Sequence, residues 1–164
     1  MALEIERKFL LKQTPAWLVE NNMIRPIKEQ RIEQTYLAMD ETQELRIRRI
    51  TDVRTGQMEY THTFKLGNGM TREEVEYSIS GSIYEQVARA FGAVPLTKNR
   101  ITAEWRDKVV EIDVYDQLEL TVVEVEFDSE EEANSFEPPE WFGKDIGAEK
   151  QYSNKTVWKQ LQQK

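Results

Sequence analysis

Residues 1–11 read MALEIERKFLL, and the alternation inside them decides the fold. Glu4, Glu6 and Lys8 occupy every second position, interleaved with Ile5 and Arg7 and followed by Phe9, Leu10 and Leu11. Successive side chains of a strand point to opposite faces, so the three charges share one face. A half-buried strand ordinarily turns such charges to water and its apolar residues to the core. The alternative turns the charged row inward, and one strand does not choose between the two.

The pattern recurs along the chain. Arg46 and Arg48 alternate with Leu45 and Ile47; Arg72, Glu74 and Glu76 with Val75 and Tyr77; Lys98 and Arg100 precede Ile101. Glu111 and Asp113 lie between Val110, Ile112 and Val114, and Glu124 and Glu126 between Val123, Val125 and Phe127. Thr61, Thr63 and Lys65 share one face opposite His62 and Phe64. These segments predict a first strand carrying Glu4 to Leu11 and further strands over about 28–39, 44–53, 57–66, 71–79, 95–106, 108–115 and 119–127, separated by turn signals such as Arg54-Thr55-Gly56 and Gly67-Asn68-Gly69. Helices are expected after Thr14-Pro15, over 82–91 before Gly92, over 130–136 and over 151–162. Too few helices separate the strands for βαβ crossovers, so the sheet should be antiparallel. The expected class is α+β, mostly β: an eight-stranded antiparallel closed barrel with a few peripheral helices.

Sign segregation bears on which way the rows face. The 4/6, 74/76, 111/113 and 124/126 pairs are acidic, whereas 46/48 and 98/100 are basic. A solvated coat has no need of strict pairs of one sign. A site for a polyanion and divalent cations does: carboxylates offer hard oxygen ligands, and Arg and Lys grip phosphate oxygens. The proposed inward set holds eight acids and seven bases, so the lumen would have to be wet to carry them.

Composition bounds the partners. The 164 residues suffice for one domain spanning 1–164, and 39% hydrophobic content supports a core beside 32% charge. A net charge of −8 argues against nucleic acid or anionic membrane as partner. No apolar run reaches membrane-spanning length, the N-terminus does not read as a signal peptide, and there is no cysteine, so a cytoplasmic protein is expected.

The ordered set Glu4-Ile5-Glu6-Arg7-Lys8, Leu45-Arg46-Ile47-Arg48, Phe64-Lys65, Arg72 to Tyr77, Lys98-Asn99-Arg100, Val110 to Asp113, Val123 to Phe127 and Tyr152-Ser153-Asn154 resembles the CYTH group of triphosphate tunnel metalloenzymes. That resemblance implies an open hydrophilic tunnel and metal-dependent hydrolysis of a triphosphate, most simply inorganic tripolyphosphate or a nucleoside triphosphate. The alternatives are a class IV-type adenylyl cyclase, a thiamine triphosphatase, or a polyphosphate-binding module without turnover. It implies Mg²⁺ or Mn²⁺ held by Glu4, Glu6, Glu124 and Glu126. Lys8, Arg46, Arg48, Lys65, Lys98 and Arg100 would clamp the phosphates, with Arg72 as a further member. Glu74, Glu76, Glu111 and Asp113 would hold a second metal or orient water. A homodimer is a family habit. Gln151 stands where family members often carry Arg, with Lys150 as the substitute, and the Tyr115-Asp116-Gln117-Leu118 connection is tight. His62 is expected to be structural. Trp17, Trp141 and Trp158 are expected in the core, and the tail helix is expected to pack on the barrel rather than plug it.

Overall fold

The computed structural model describes residues 2–163. In chain order the elements are β1 (Ala2–Leu11), α1 (Pro15–Glu20), β2 (Arg25–Met39), β3 (Gln43–Asp52), β4 (Met58–Leu66), β5 (Thr71–Ser78), α2 (Gly81–Phe91), β6 (Leu96–Trp105), β7 (Lys108–Tyr115), β8 (Thr121–Glu126), α3 (Glu130–Ser135), β9 (Phe142–Asp145) and α4 (Asn154–Gln162), with a 3₁₀ turn at Lys150–Tyr152. The sheet runs β5-β4-β3-β2-β6-β7-β8-β1, every pairing antiparallel, and β1 closes it by also pairing β5. The result is an eight-stranded closed barrel with β9 added beside the end of β1.

Local chemistry sets the ends of these elements. Thr14, Ser80, Ser129 and Ser153 each accept a backbone N–H of the first turn of the helix they precede. Gly92 ends α2 at φ 64, a left-handed cap that glycine adopts without strain. The 82–91 helix and the eight strands therefore lie where the alternation and caps put them. The start of β2 is earlier than expected, at Arg25, because pairing with Glu104 and Ala103 of β6 continues beyond a register shift that accommodates Pro26, which has no N–H. The tail helix starts at Asn154 rather than 151, since Ser153 supplies its cap.

The hydrophobic core lies outside the barrel wall. Ile5, Phe9, Ala103, Val110, Ile112, Val123 and Val125 form the outer face of β1, β6, β7 and β8, and they pack under Leu18, Ile24, Ala133, Phe136, Trp141 and Phe142. Phe142 stacks at 4.9 Å from Phe9 and 4.6 Å from Trp141, so β9 serves as a cover for this core. A Cβ at Gly143 would lie 2.7 Å from the Leu10 carbonyl oxygen, which is why glycine stands where β9 crosses β1. Arg7, on the outer face, ties α3 and β9 down by donating to the Ala133 and Phe136 carbonyls and to Asp145 at 2.8 Å.

The tryptophan expectation holds for Trp141 and Trp158, each 8% exposed, and fails for Trp17, which is 36% exposed because α1 buries only Leu18. The tail helix also departs from expectation. Val157 and Trp158 of α4 cluster with Tyr36, Leu96, Tyr115 and Val122, which all lie on the inner face at one end of the barrel. Tyr115 donates to Asn154, and Lys8 Nζ donates to the Tyr152 carbonyl at 3.2 Å. Helix α4 thus covers one mouth of the bore on its β2, β6, β7 and β8 side. No helix is long and apolar enough to cross a membrane among the described residues.

Candidate active site

Register assigns each charged row to the interior. Glu6 faces Glu126 and Lys8 faces Glu124 across β1–β8; Glu111 faces Glu124, and Arg100 faces Asp113. Glu4 lies beside Arg72, Lys65 beside Glu74, and Arg46 beside Thr63. Their alternates Ile5, Val110, Ile112, Val123 and Val125 belong to the outer core, so the charged set takes the opposite face. All fifteen charged residues named from the sequence therefore line one well. Burial agrees: Lys98 and Asp113 are 0% exposed, and Arg46, Arg48, Lys65 and Glu124 are also buried.

The well is graded along its axis. At the covered end the inner face is Leu10, Tyr36, Leu96, Tyr115 and Val122. One or two steps outward come Lys8, Arg46, Arg48, Lys65 and Lys98. Nearer the open end stand Glu4, Glu6, Glu76, Glu111 and Glu126. A recess of about 380 Å³ on the rim at that end lies between Glu111 and Glu126 on one side and Asp107, Lys108, Asp128 and Glu132 on the other. Carboxylates thus crowd the open end, while deeper in the well the cations are interleaved with Glu44, Asp113 and Glu124.

Ion pairs compensate one part of the set. Arg100 makes a two-pronged contact with Asp113 at 2.8 and 2.9 Å and reaches Glu111 at 3.2 Å, while Lys98 Nζ lies 2.8 Å from Asp113. Lys65 lies between Glu4 at 3.2 Å and Glu74 at 3.4 Å, and Arg72 pairs with Glu44. Thr63 donates to Glu76 at 2.7 Å. Lys8, Arg46 and Arg48 enter no ion pair among the described residues, and Arg46 Nε is buried without a hydrogen-bond partner.

Electrostatics follow from this geometry. Burial raises Asp113, yet Arg100 and Lys98 outweigh it and hold the carboxyl well below its ordinary range. Burial pushes Lys98 down to about 7, with Arg100 and Arg48 adding to the fall and Asp113 opposing it. At the mouth the balance reverses. Burial and then the Glu124 charge push Glu6 well up, and burial with the charges of Glu4, Glu111 and Glu124 raises Glu126. Burial and a shared hydrogen bond with Glu4 bring Glu74 up to about 7. Glu4 itself falls to about 2, because the Glu74 hydrogen bond and the Lys65 charge together exceed the effect of its burial.

No three carboxylates or histidines converge closely enough to form a cation site by side-chain position alone among the described residues. The donor set nonetheless suits a hard divalent cation: it is all oxygen, and burial and mutual repulsion push Glu6, Glu74 and Glu126 up, a cost that a cation would relieve.

Three inner-face residues escaped the charge pattern. Glu44, 3% exposed, stands one alternation before Arg46 and was within reach of the same rule. Gln34 and Tyr36 carry no charge and gave no signal. His62 lies on the outer face with Nδ1 2.6 Å from the Tyr77 hydroxyl, as a structural residue. Lys150 and Gln151 are both exposed on the turn before α4, so Lys150 does not take the place of the missing Arg inside the well. The tight connection after β7 is held by Asp116, which accepts from Arg31 and from Thr97 at 2.6 Å.

The CYTH domain family model matches residues 2–154. The chain is 33% identical over 158 residues to an inorganic triphosphatase of Nitrosomonas europaea, covering 94% of this chain and 95% of that one. A crystal structure of an inorganic triphosphatase superposes with a TM-score of 0.62 at 31% identity, over 96% of this chain and 95% of the other. A conserved hypothetical protein from Pyrococcus furiosus shares the fold, with a TM-score of 0.60 at 22% identity over 80% of this chain and 83% of its own.

Proposed function

Because this chain belongs to the CYTH domain family, we propose that it is a metal-dependent triphosphatase whose substrate is inorganic tripolyphosphate. The observation that carries the reading is the charged lumen: eight carboxylates and seven cations share the inner face of a closed barrel, with most of the apolar core outside the wall. The similarity to the Nitrosomonas europaea inorganic triphosphatase over nearly the full length of both chains supports the choice of substrate. The reading takes residues 1–164 as one functional unit, supported by the family match from 2 to 154.

In this reading Lys8, Arg46, Arg48, Lys65, Lys98 and Arg100, with Arg72 beside them, grip the phosphate oxygens and spread the charge of the anion. Glu4, Glu6, Glu124 and Glu126 would hold Mg²⁺ or Mn²⁺, and such a cation would supply neutralisation of phosphate charge and activation of water. Glu74, Glu76 and Glu111 would hold a second cation or orient the attacking water, whereas Asp113, engaged by Arg100 and Lys98, would hold those two cations in place. Water adds its oxygen to a terminal phosphorus, the P–O–P bond breaks, and phosphate and pyrophosphate leave. Such hydrolysis needs alignment and charge neutralisation rather than a covalent nucleophile, in keeping with a well built from Arg, Lys and Glu. Lys65, Arg72 and Arg100 are paired with carboxylates, so substrate and cations would exchange places with those pairs.

The test is a substrate panel: tripolyphosphate, ATP and thiamine triphosphate with Mg²⁺ or Mn²⁺, with phosphate, pyrophosphate and cyclic AMP measured separately. Equal amounts of phosphate and pyrophosphate from tripolyphosphate are expected. Cyclic AMP with pyrophosphate from ATP would overturn the triphosphatase reading in favour of a cyclase, and tight binding without product would make the protein a binding module.

A further inference from the structure

Among the inner-face residues, Gln34 is a neutral amide with 0% exposure set in a field of charge. It stands on β2 opposite Arg48 of β3 and Leu96 of β6. Its Oε1 accepts from Arg48 Nε at 3.0 Å, and its Nε2 donates to the Tyr36 hydroxyl at 3.3 Å. Both ends of the carboxamide are therefore engaged, which fixes its orientation.

The partner it serves is unusual. Arg48 is 7% exposed and enters no ion pair among the described residues, whereas Arg72, Lys98 and Arg100 each have a carboxylate. Burial, followed by the charges of Arg46 and Arg100, pulls Arg48 down to about 10, so its cation is held at a cost. A carboxylate at position 34 would relieve that cost and have the same length. A neutral acceptor leaves the charge unspent. It also engages only the Nε edge, and a guanidinium held there still presents its terminal nitrogens to a two-pronged acceptor such as a phosphate.

Resting on the triphosphatase reading above, we propose that Gln34 is a positioning residue: its carboxamide fixes the plane of Arg48 through Nε while leaving the guanidinium charge free for a phosphate oxygen of the substrate. Glutamate here would pair with Arg48 inside the well and compete with the polyanion. An apolar residue of the same length would leave Arg48 uncompensated and unaimed.

The experiment is a double-mutant cycle on full-length protein with tripolyphosphate and Mg²⁺. Gln34→Glu is expected to raise KM tenfold or more, with a thermal midpoint equal to or above that of the native protein. Gln34→Met, the second variant, is expected to lower kcat/KM several-fold. In an Arg48→Ala background each effect should shrink to less than twofold, because both act through Arg48. Native KM in Gln34→Glu, or losses that multiply fully with that of Arg48→Ala, would overturn the proposal. A native protein that neither cleaves tripolyphosphate nor binds it in calorimetry would refute the triphosphatase reading and the Gln34 proposal with it. Native turnover with unaffected Gln34 variants would refute only the latter.

Discussion

The two faces of strand β1 are built to opposite rules. Ile5 and Phe9 look outward, and both are buried in the core under α1, α3 and β9. Glu4, Glu6 and Lys8 look inward, beside Arg72, Glu126 and Glu124. The same division holds on β7, where Val110 and Ile112 face the outer core and Glu111 and Asp113 the well. In an ordinary small barrel the centre is the core and the exterior is solvated. Here the stabilising apolar contacts have been moved outside the wall, and that relocation leaves the interior available for groups that would destabilise a conventional centre. The difference teaches that stability and chemistry in this chain are carried by alternate residues of the same strands.

The sharpest way to break that division is Glu6→Ala. Removing a carboxylate at the crowded mouth should abolish measurable tripolyphosphate turnover in a phosphate-release assay. The thermal midpoint should stay equal or rise, since a buried, mutually repelled group is lost. Loss of folding with the activity would mean that the inner row is structural. On the opposite face, Ile112→Ala should cost about 2–5 kcal/mol of stability, read in a denaturant melt, with kcat per folded molecule unchanged.

A smaller effect concerns pH. Glu74 is held up to about 7 from an ordinary 4.5, and Glu6 and Glu126 are raised too, so the folded state binds extra protons between those values. A raised acid gives stability that is full below its unfolded pKa and is lost as pH climbs through the folded one. Metal-free protein should therefore lose several degrees of thermal midpoint from pH 5 to pH 7. Lys98, lowered to about 7, is protonated in both states across most of that window and does not offset the loss. Added Mg²⁺ should restore the midpoint at pH 7 and leave it nearly unmoved at pH 5. The smallest effect is Glu41→Ala, an exposed turn residue, expected within about 0.5 kcal/mol and with native turnover.

Much of this architecture was legible in the chain because two periodic signals coincide. Alternation marks the strands, and segregation by sign tells the inner row from a solvated coat, as at Arg46/Arg48 and Glu124/Glu126. What escaped lacked one signal or the other. Strand β9 is four residues long and contains Gly143, so no alternation could build up. Gln34 and Tyr36 share the inner face but carry no charge, and a rule based on sign passes over them. Helix α4 was readable as a helix, yet its apolar side matches an inner rim assembled from β2, β6, β7 and β8, which only the closed barrel brings together. Trp17 was misplaced because a six-residue helix docks through Leu18 alone.

The most direct measurement is anomalous diffraction from crystals grown with Mn²⁺ and tripolyphosphate. The account expects manganese inside the barrel among Glu4, Glu6, Glu124 and Glu126, with the phosphate chain against Arg46, Arg48, Lys98 and Arg100. Manganese found only on the exterior, with the well occupied by its own ion pairs and no phosphate, would contradict it.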